Sequence, residues 1–82
     1  MLNVKYFARY RETLGSDGEQ LPWQTEWQTL ADVRDALLAR GGAWQVLAES
    51  SLMCAVNQEL VSLETSCADG DEVAFFPTVT GG

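Results

Sequence analysis

The sequence predicts an α+β two-layer sandwich, one amphipathic helix laid across a mixed sheet. Three observations carry that expectation. Residues 2–8 alternate apolar and polar side chains at the period of a strand, residues 29–42 space them at the period of a helix, and residues 52–77 hold three further strand-like runs. At 82 residues the chain makes one domain with a small core, spanning 1–77 and followed by an extended tail at 78–82.

In the first run, "LNVKYFA", Leu2, Val4, Tyr6 and Ala8 share one face and Asn3, Lys5 and Phe7 the other. Phe7 is the misfit, an aromatic side chain on the polar face, expected to cover a loop or meet a partner. "ARYRETLG" reads as a short helical turn stopped at Gly15, "GSDGE" as a turn, and "EQLPW" as a second strand that Pro22 marks as an edge strand or a short one. "TLADVRDALLARGG" carries the strongest local signal: Thr29 stands at an N-cap with Asp32 three residues on, Leu30, Val33 and Leu37 fall on one face, and Gly41 closes the helix. "AWQVLAE" adds a short helical turn that points Trp44 and Leu47 at the core. "LMCAVN" and "ELVSL" are two strands joined tightly at Asn57-Gln58, "ADGDE" is a turn, and "VAFFP" is the last strand. Trp23, Trp27 and Trp44 are read as core and lid packing.

Five Lys and Arg against twelve Asp and Glu give a net charge of −7. A phosphate backbone would be repelled, so no nucleic acid is expected as a direct partner. The acidity suits either a basic protein surface or simple solubility, and charge alone does not choose between them. No run is long and apolar enough for a membrane span, and the opening lacks a signal pattern, so a soluble cytoplasmic protein is expected, with no membrane partner. Cys54 and Cys67, separated by twelve residues in a chain without His, do not make a zinc pattern. Cys54 is expected to pack as a small hydrophobe, and the acids near Cys67 to raise its thiol pKa.

Proton transfer and nucleophilic attack need groups this chain lacks: it has no His, and its one Lys, Lys5, lies in a strand. "ADGDE" is too short for a calcium loop, and Gly41-Gly42 follow a helix where a phosphate cradle must open one. No resident metal or cofactor is expected. What stands out is the end, "FFPTVTGG". Pro77 cannot donate to a ladder and stops the strand, and Thr78, Val79 and Thr80 form a stiff β-branched stem. Gly81 and Gly82 carry no side chain, so they can enter a slot closed to other residues and leave the last carboxylate open to attack. An idle terminus and a working one are equally compatible with these residues alone.

"DGDEVAFFPTVTGG" closely resembles the C-terminus of the small, sulfur-carrying subunits of molybdopterin synthase. The resemblance extends over the chain through "VKYFARYRE" and "AVNQELVS". It implies a β-grasp, ubiquitin-like fold. It implies further that Gly82 is the reactive residue, its carboxylate adenylated by an E1-like adenylating enzyme that consumes ATP and then converted to a thiocarboxylate by a sulfur donor of the cysteine desulfurase or rhodanese type. The tail, with Thr80 and Gly81 leading to Gly82, would insert into the large subunit of a heterotetrameric synthase, which binds cyclic pyranopterin monophosphate and supplies the catalytic residues. The small subunit would thus be a sulfur donor, not catalytic on its own. The thiamine-pathway carrier, the tRNA-thiolating ubiquitin-related modifier and an inert interaction domain are the alternatives. Thr78 departs from relatives that often carry a second proline there, which implies a more flexible stem.

Strand parity gives an expected contact face. With Val73 and Phe75 turned to the core, Ala74 and Phe76 face outward, level with Phe7 if the first and last strands pair. Phe76, Phe7 and Ala74 are therefore the expected partner-binding residues, with Arg11 at the rim, the basic position that the resemblance assigns.

Overall fold

The computed structural model describes residues 1–78. β1 (Leu2–Tyr6) leads into α1 (Ala8–Leu14), and β2 (Gly18–Leu21) returns antiparallel to β1. α2 (Leu30–Leu38) and a 3-10 helix (Gly42–Ala48) follow, then β3 (Leu52–Val56), β4 (Glu59–Val61) and β5 (Glu72–Pro77). The strands order as β2-β1-β5-β3-β4, with β1 and β5 parallel and every other pair antiparallel. A mixed sheet with the last strand inserted beside the first and a helix packed on one face is the β-grasp architecture. No helix among the described residues is long and apolar enough to cross a membrane.

Alternation decides which side of the sheet is filled. Leu2, Val4 and Tyr6 of β1, Cys54 of β3, and Val73 and Phe75 of β5 are almost wholly buried against Leu30, Val33 and Leu37 of α2 and Leu47 of the 3-10 helix. Each such aliphatic or aromatic side chain contributes about 1.5–3 kcal/mol by leaving water. α2 starts where Asp32 gathers the free N–H groups of Gln28 and Thr29 at 2.9 and 3.1 Å, and its carboxyl is held below its ordinary pKa by those two bonds. The helix ends at Leu38, and Gly41 (φ 74°) lies beyond its C-terminus. Trp23 and Trp27 meet edge to face with centroids 5.7 Å apart and lie against the core.

One strand-end expectation is corrected. Ala8 does not continue the core face of β1: it is exposed, turns to φ 55° and opens α1. The turn is forced because the side chains on both sides are anchored. Tyr6 and Tyr10 are fully buried, and their hydroxyls donate to Glu19 at 2.8 Å and Glu49 at 2.9 Å. Arg40 grips Glu19 and Arg9 grips Glu49, each through two nitrogens. Burial first, then the carboxylate bonds, push both tyrosines upward, Tyr10 to about 12. With its neighbours pinned inward, Phe7 between them is left at the surface.

Candidate functional site: the outer sheet face and the root of the tail

The face of the sheet opposite α2 is built by register. The parallel pair Tyr6↔Phe75 brings the following residue, Phe7, to the level of Phe76, and β3 places Met53 opposite Phe76 on the other side. One step back, Lys5, Ala74, Ala55 and Leu60 form the next row across four strands. Two adjacent rows therefore present Phe7, Phe76 and Met53, then Ala74, Ala55 and Leu60, with Lys5 at the β1 end. Phe7 is 47% exposed and Leu60 61%, while Phe76 and Met53 are half-buried. Such a connected apolar surface on a chain of net charge −7 is the mark of a docking face. An open groove of about 520 Å³ adjoins it at the β3–β4 edge, between Met53 and Leu60.

The expected contact residues are thus placed unequally. Phe7 and Phe76 come together as anticipated. Ala74 lies on the outer face but is only 7% exposed, because its short side chain sits between longer neighbours, and it shapes the surface more than it offers area. Arg11 is exposed on α1, and its carbonyl accepts from Gly15 (φ 67°) and Ser16 at the helix end. Thr80, Gly81 and Gly82 lie outside the described residues. Met53 and Leu60 were not anticipated. The signal existed: Leu52 and Cys54 facing inward require Met53 and Ala55 to face outward, and an apolar Leu60 in a short edge strand then falls in line with them.

The root of the tail is defined by three residues. Phe76 ends the outward apolar row, Pro77 is buried opposite Leu52, and Thr78 is exposed with its hydroxyl donating to the Ser51 carbonyl. Neither thiol is activated: burial raises Cys54, with Arg34 opposing weakly, and burial followed by Asp71 and Asp32 raises Cys67. Among the described residues no cluster of three or more Cys, Asp or Glu is arranged to hold a metal ion.

Residues 4–82 match the family model described as ThiS family. The chain belongs to the ThiS family. Among ThiS-family relatives, the molybdopterin synthase sulfur carrier subunit of Haemophilus influenzae is 45% identical over 83 aligned positions covering all of both chains. The protein of the same name from Escherichia coli is 41% identical with the same coverage. Among solved structures, SAMP1 from Haloferax volcanii superposes with a TM-score of 0.80 at 28% identity, covering 99% of this chain and 98% of the other. The ThiS-family assignment and the strand order describe the same β-grasp fold.

Proposed function

We propose that this chain is the sulfur-carrier subunit of a molybdopterin synthase. The observation that carries the proposal is the end-to-end likeness, at 45% identity, to a sulfur carrier subunit of that name. The apolar face beside the tail root supports it, because a protein that delivers its own terminus needs a surface to hold the acceptor and little catalytic machinery of its own.

The chemistry follows from the terminus. A free carboxylate is a poor electrophile, so one oxygen of Gly82 first attacks the α-phosphate of ATP on an E1-like adenylating enzyme, releasing pyrophosphate. The terminal sulfur of a cysteine persulfide on a desulfurase- or rhodanese-type donor then attacks the acyl carbon and AMP leaves, giving an acyl disulfide. A thiol attacks the donor's cysteine sulfur, breaks the S–S bond and leaves as a mixed disulfide with the donor, which releases the thiocarboxylate. This soft nucleophile is ionised at neutral pH and suits attack on carbon. Inside the large subunit its sulfur attacks a carbon of cyclic pyranopterin monophosphate, and water cleaves the resulting thioester, leaving the sulfur on the pterin and returning Gly82 as a carboxylate; two such transfers build the dithiolene. In this scheme the carrier is a sulfurtransferase subunit in which the partner does the acid–base work. It binds no cofactor of its own and works in the cytoplasm, where ATP is at hand and thiols stay reduced.

The test is intact mass after incubation with ATP, a sulfide source and the adenylating enzyme, followed by addition of large subunit and precursor. Exchange of one terminal oxygen for sulfur and then formation of molybdopterin are expected. A mass that never changes would sink the carrier assignment. A thiocarboxylate that yields no molybdopterin would point to another client.

A further inference from the structure

β5 does not simply run out at Pro77. In the antiparallel β3–β5 ladder, Leu52↔Pro77 is the last pair, and Asn57 at the far end donates its N–H to the Glu72 carbonyl at 2.7 Å. Hydrogen-bonded pairs alternate along such a ladder, so they fall at odd positions of β3, and Ser51 opposite Thr78 is the next of them. At that position the Ser51 carbonyl accepts from the Thr78 side-chain hydroxyl. Leu52 turns its own N–H back to Glu49 at 3.1 Å, so the start of β3 is tied to the loop before it. That loop is held in turn, since Glu49 binds Arg9 at 2.6 and 2.9 Å and Tyr10 at 2.9 Å. Thr78 is thus fastened to a braced part of the molecule through its side chain.

We propose that Thr78 is a positioning residue for sulfur delivery, a latch that fixes where the tail leaves the sheet. Pro77 sets φ on one side of the exit and the Thr78 hydroxyl fixes the other, so the direction in which the chain leaves the sheet at residue 78 is set before the terminus enters a partner. Releasing residue 78 adds one residue to be ordered for every productive insertion. The exposed threonine thereby does by hydrogen bonding what a rigid residue would do by covalent constraint. The proposal rests on the sulfur-carrier assignment for its functional arm only.

The experiment compares Thr78→Val, which keeps the β-branched shape without the hydroxyl, with Thr78→Ser, which keeps the hydroxyl. Each is converted to the thiocarboxylate, bound to the large subunit and followed through a single turnover with cyclic pyranopterin monophosphate. Thr78→Val is expected to slow transfer about fivefold, the weight of one net hydrogen bond, with affinity for the large subunit and melting temperature unchanged. Thr78→Ser is expected to restore the rate, and Ser51→Ala to have no effect, because the acceptor at residue 51 is backbone. In the free proteins the ¹⁵N order parameter of the residue-78 amide is expected to fall in Thr78→Val alone. Transfer at the parent rate by Thr78→Val, or an unchanged order parameter, overturns the latch. Absence of product from the parent protein overturns the carrier assignment instead, and the order parameter then decides the latch by itself.

Discussion

Phe7 donates its backbone N–H to the carbonyl of Phe75 at 3.2 Å, which carries the parallel ladder one residue past Tyr6 and brings Phe7 level with Phe76. A core residue thus sets the position of a surface one. Phe75 is fully buried, with Phe76 next to it in sequence and Phe7 bonded to its carbonyl.

Leu60 separates docking from folding most cleanly. At 61% exposure, Leu60→Ala is expected to change stability by no more than about 0.5 kcal/mol, yet to weaken large-subunit binding about tenfold if the row it ends is the contact face. Calorimetric titration against thermal melting checks both. Phe76→Ala is expected to lose at least as much affinity and, being half-buried, some stability as well.

Phe75→Ala is expected to cost about 3–5 kcal/mol in urea unfolding, since it opens a cavity at the centre of the sheet. Against the small total stability of a domain this size, such a loss leaves little folded protein.

Both tyrosines of the chain are buried at Tyr6 and Tyr10. Their raised folded-state values mean that the neutral hydroxyls stabilise the fold fully below the ordinary pKa of 10.0, and that this stabilisation is lost as pH rises through the folded value, about 12 for Tyr10. Spectrophotometric titration should show no tyrosinate at pH 10, where a free tyrosine is half ionised, and then its appearance together with unfolding.

The acid side has the opposite sign. Glu19 is lowered chiefly by Arg40, with burial opposing and Tyr6 assisting, and Glu49 by Arg9 and then Tyr10. Their contribution is present above the ordinary value of 4.5 and is lost as pH falls through the lowered folded values. Denaturant unfolding of Glu19→Gln should show a shallower loss of stability below pH 4.5 than the parent protein, at the cost of lower stability at pH 7.

Deleting Gly82 should abolish thiocarboxylate transfer while leaving large-subunit affinity within roughly twofold, because the outer face holds most of the contact area. Mass spectrometry and titration of the same preparation check the two halves.

Period-two and period-3.6 patterning made most of the fold legible. The α2 start at Thr29 and Asp32, the edge position of β2 and the Asn57-Gln58 hairpin, with φ of 50° and 70°, all rest on local signals that burial reinforces. The parallel pairing of β1 with β5 had no local signal, since it joins residues about 70 apart, and it came from the family resemblance. Ala8 was misplaced because alternation carries no information about a left-handed backbone turn. Within the site, Phe7 and Phe76 were legible as aromatics on the wrong face, whereas Leu60 and Met53 became visible only once register aligned four strands. The same register places the Ser51 carbonyl within reach of the Thr78 hydroxyl, a contact that no local pattern announces, because it depends on which carbonyl lies across the ladder.

The strand that ends in the tail is bonded on both sides, parallel to β1 and antiparallel to β3. Tension applied to the tail along β5 therefore loads two ladders in shear, so their bonds resist together instead of unzipping one at a time. A pull on the terminus is thus resisted by the ladders to β1 and β3 together.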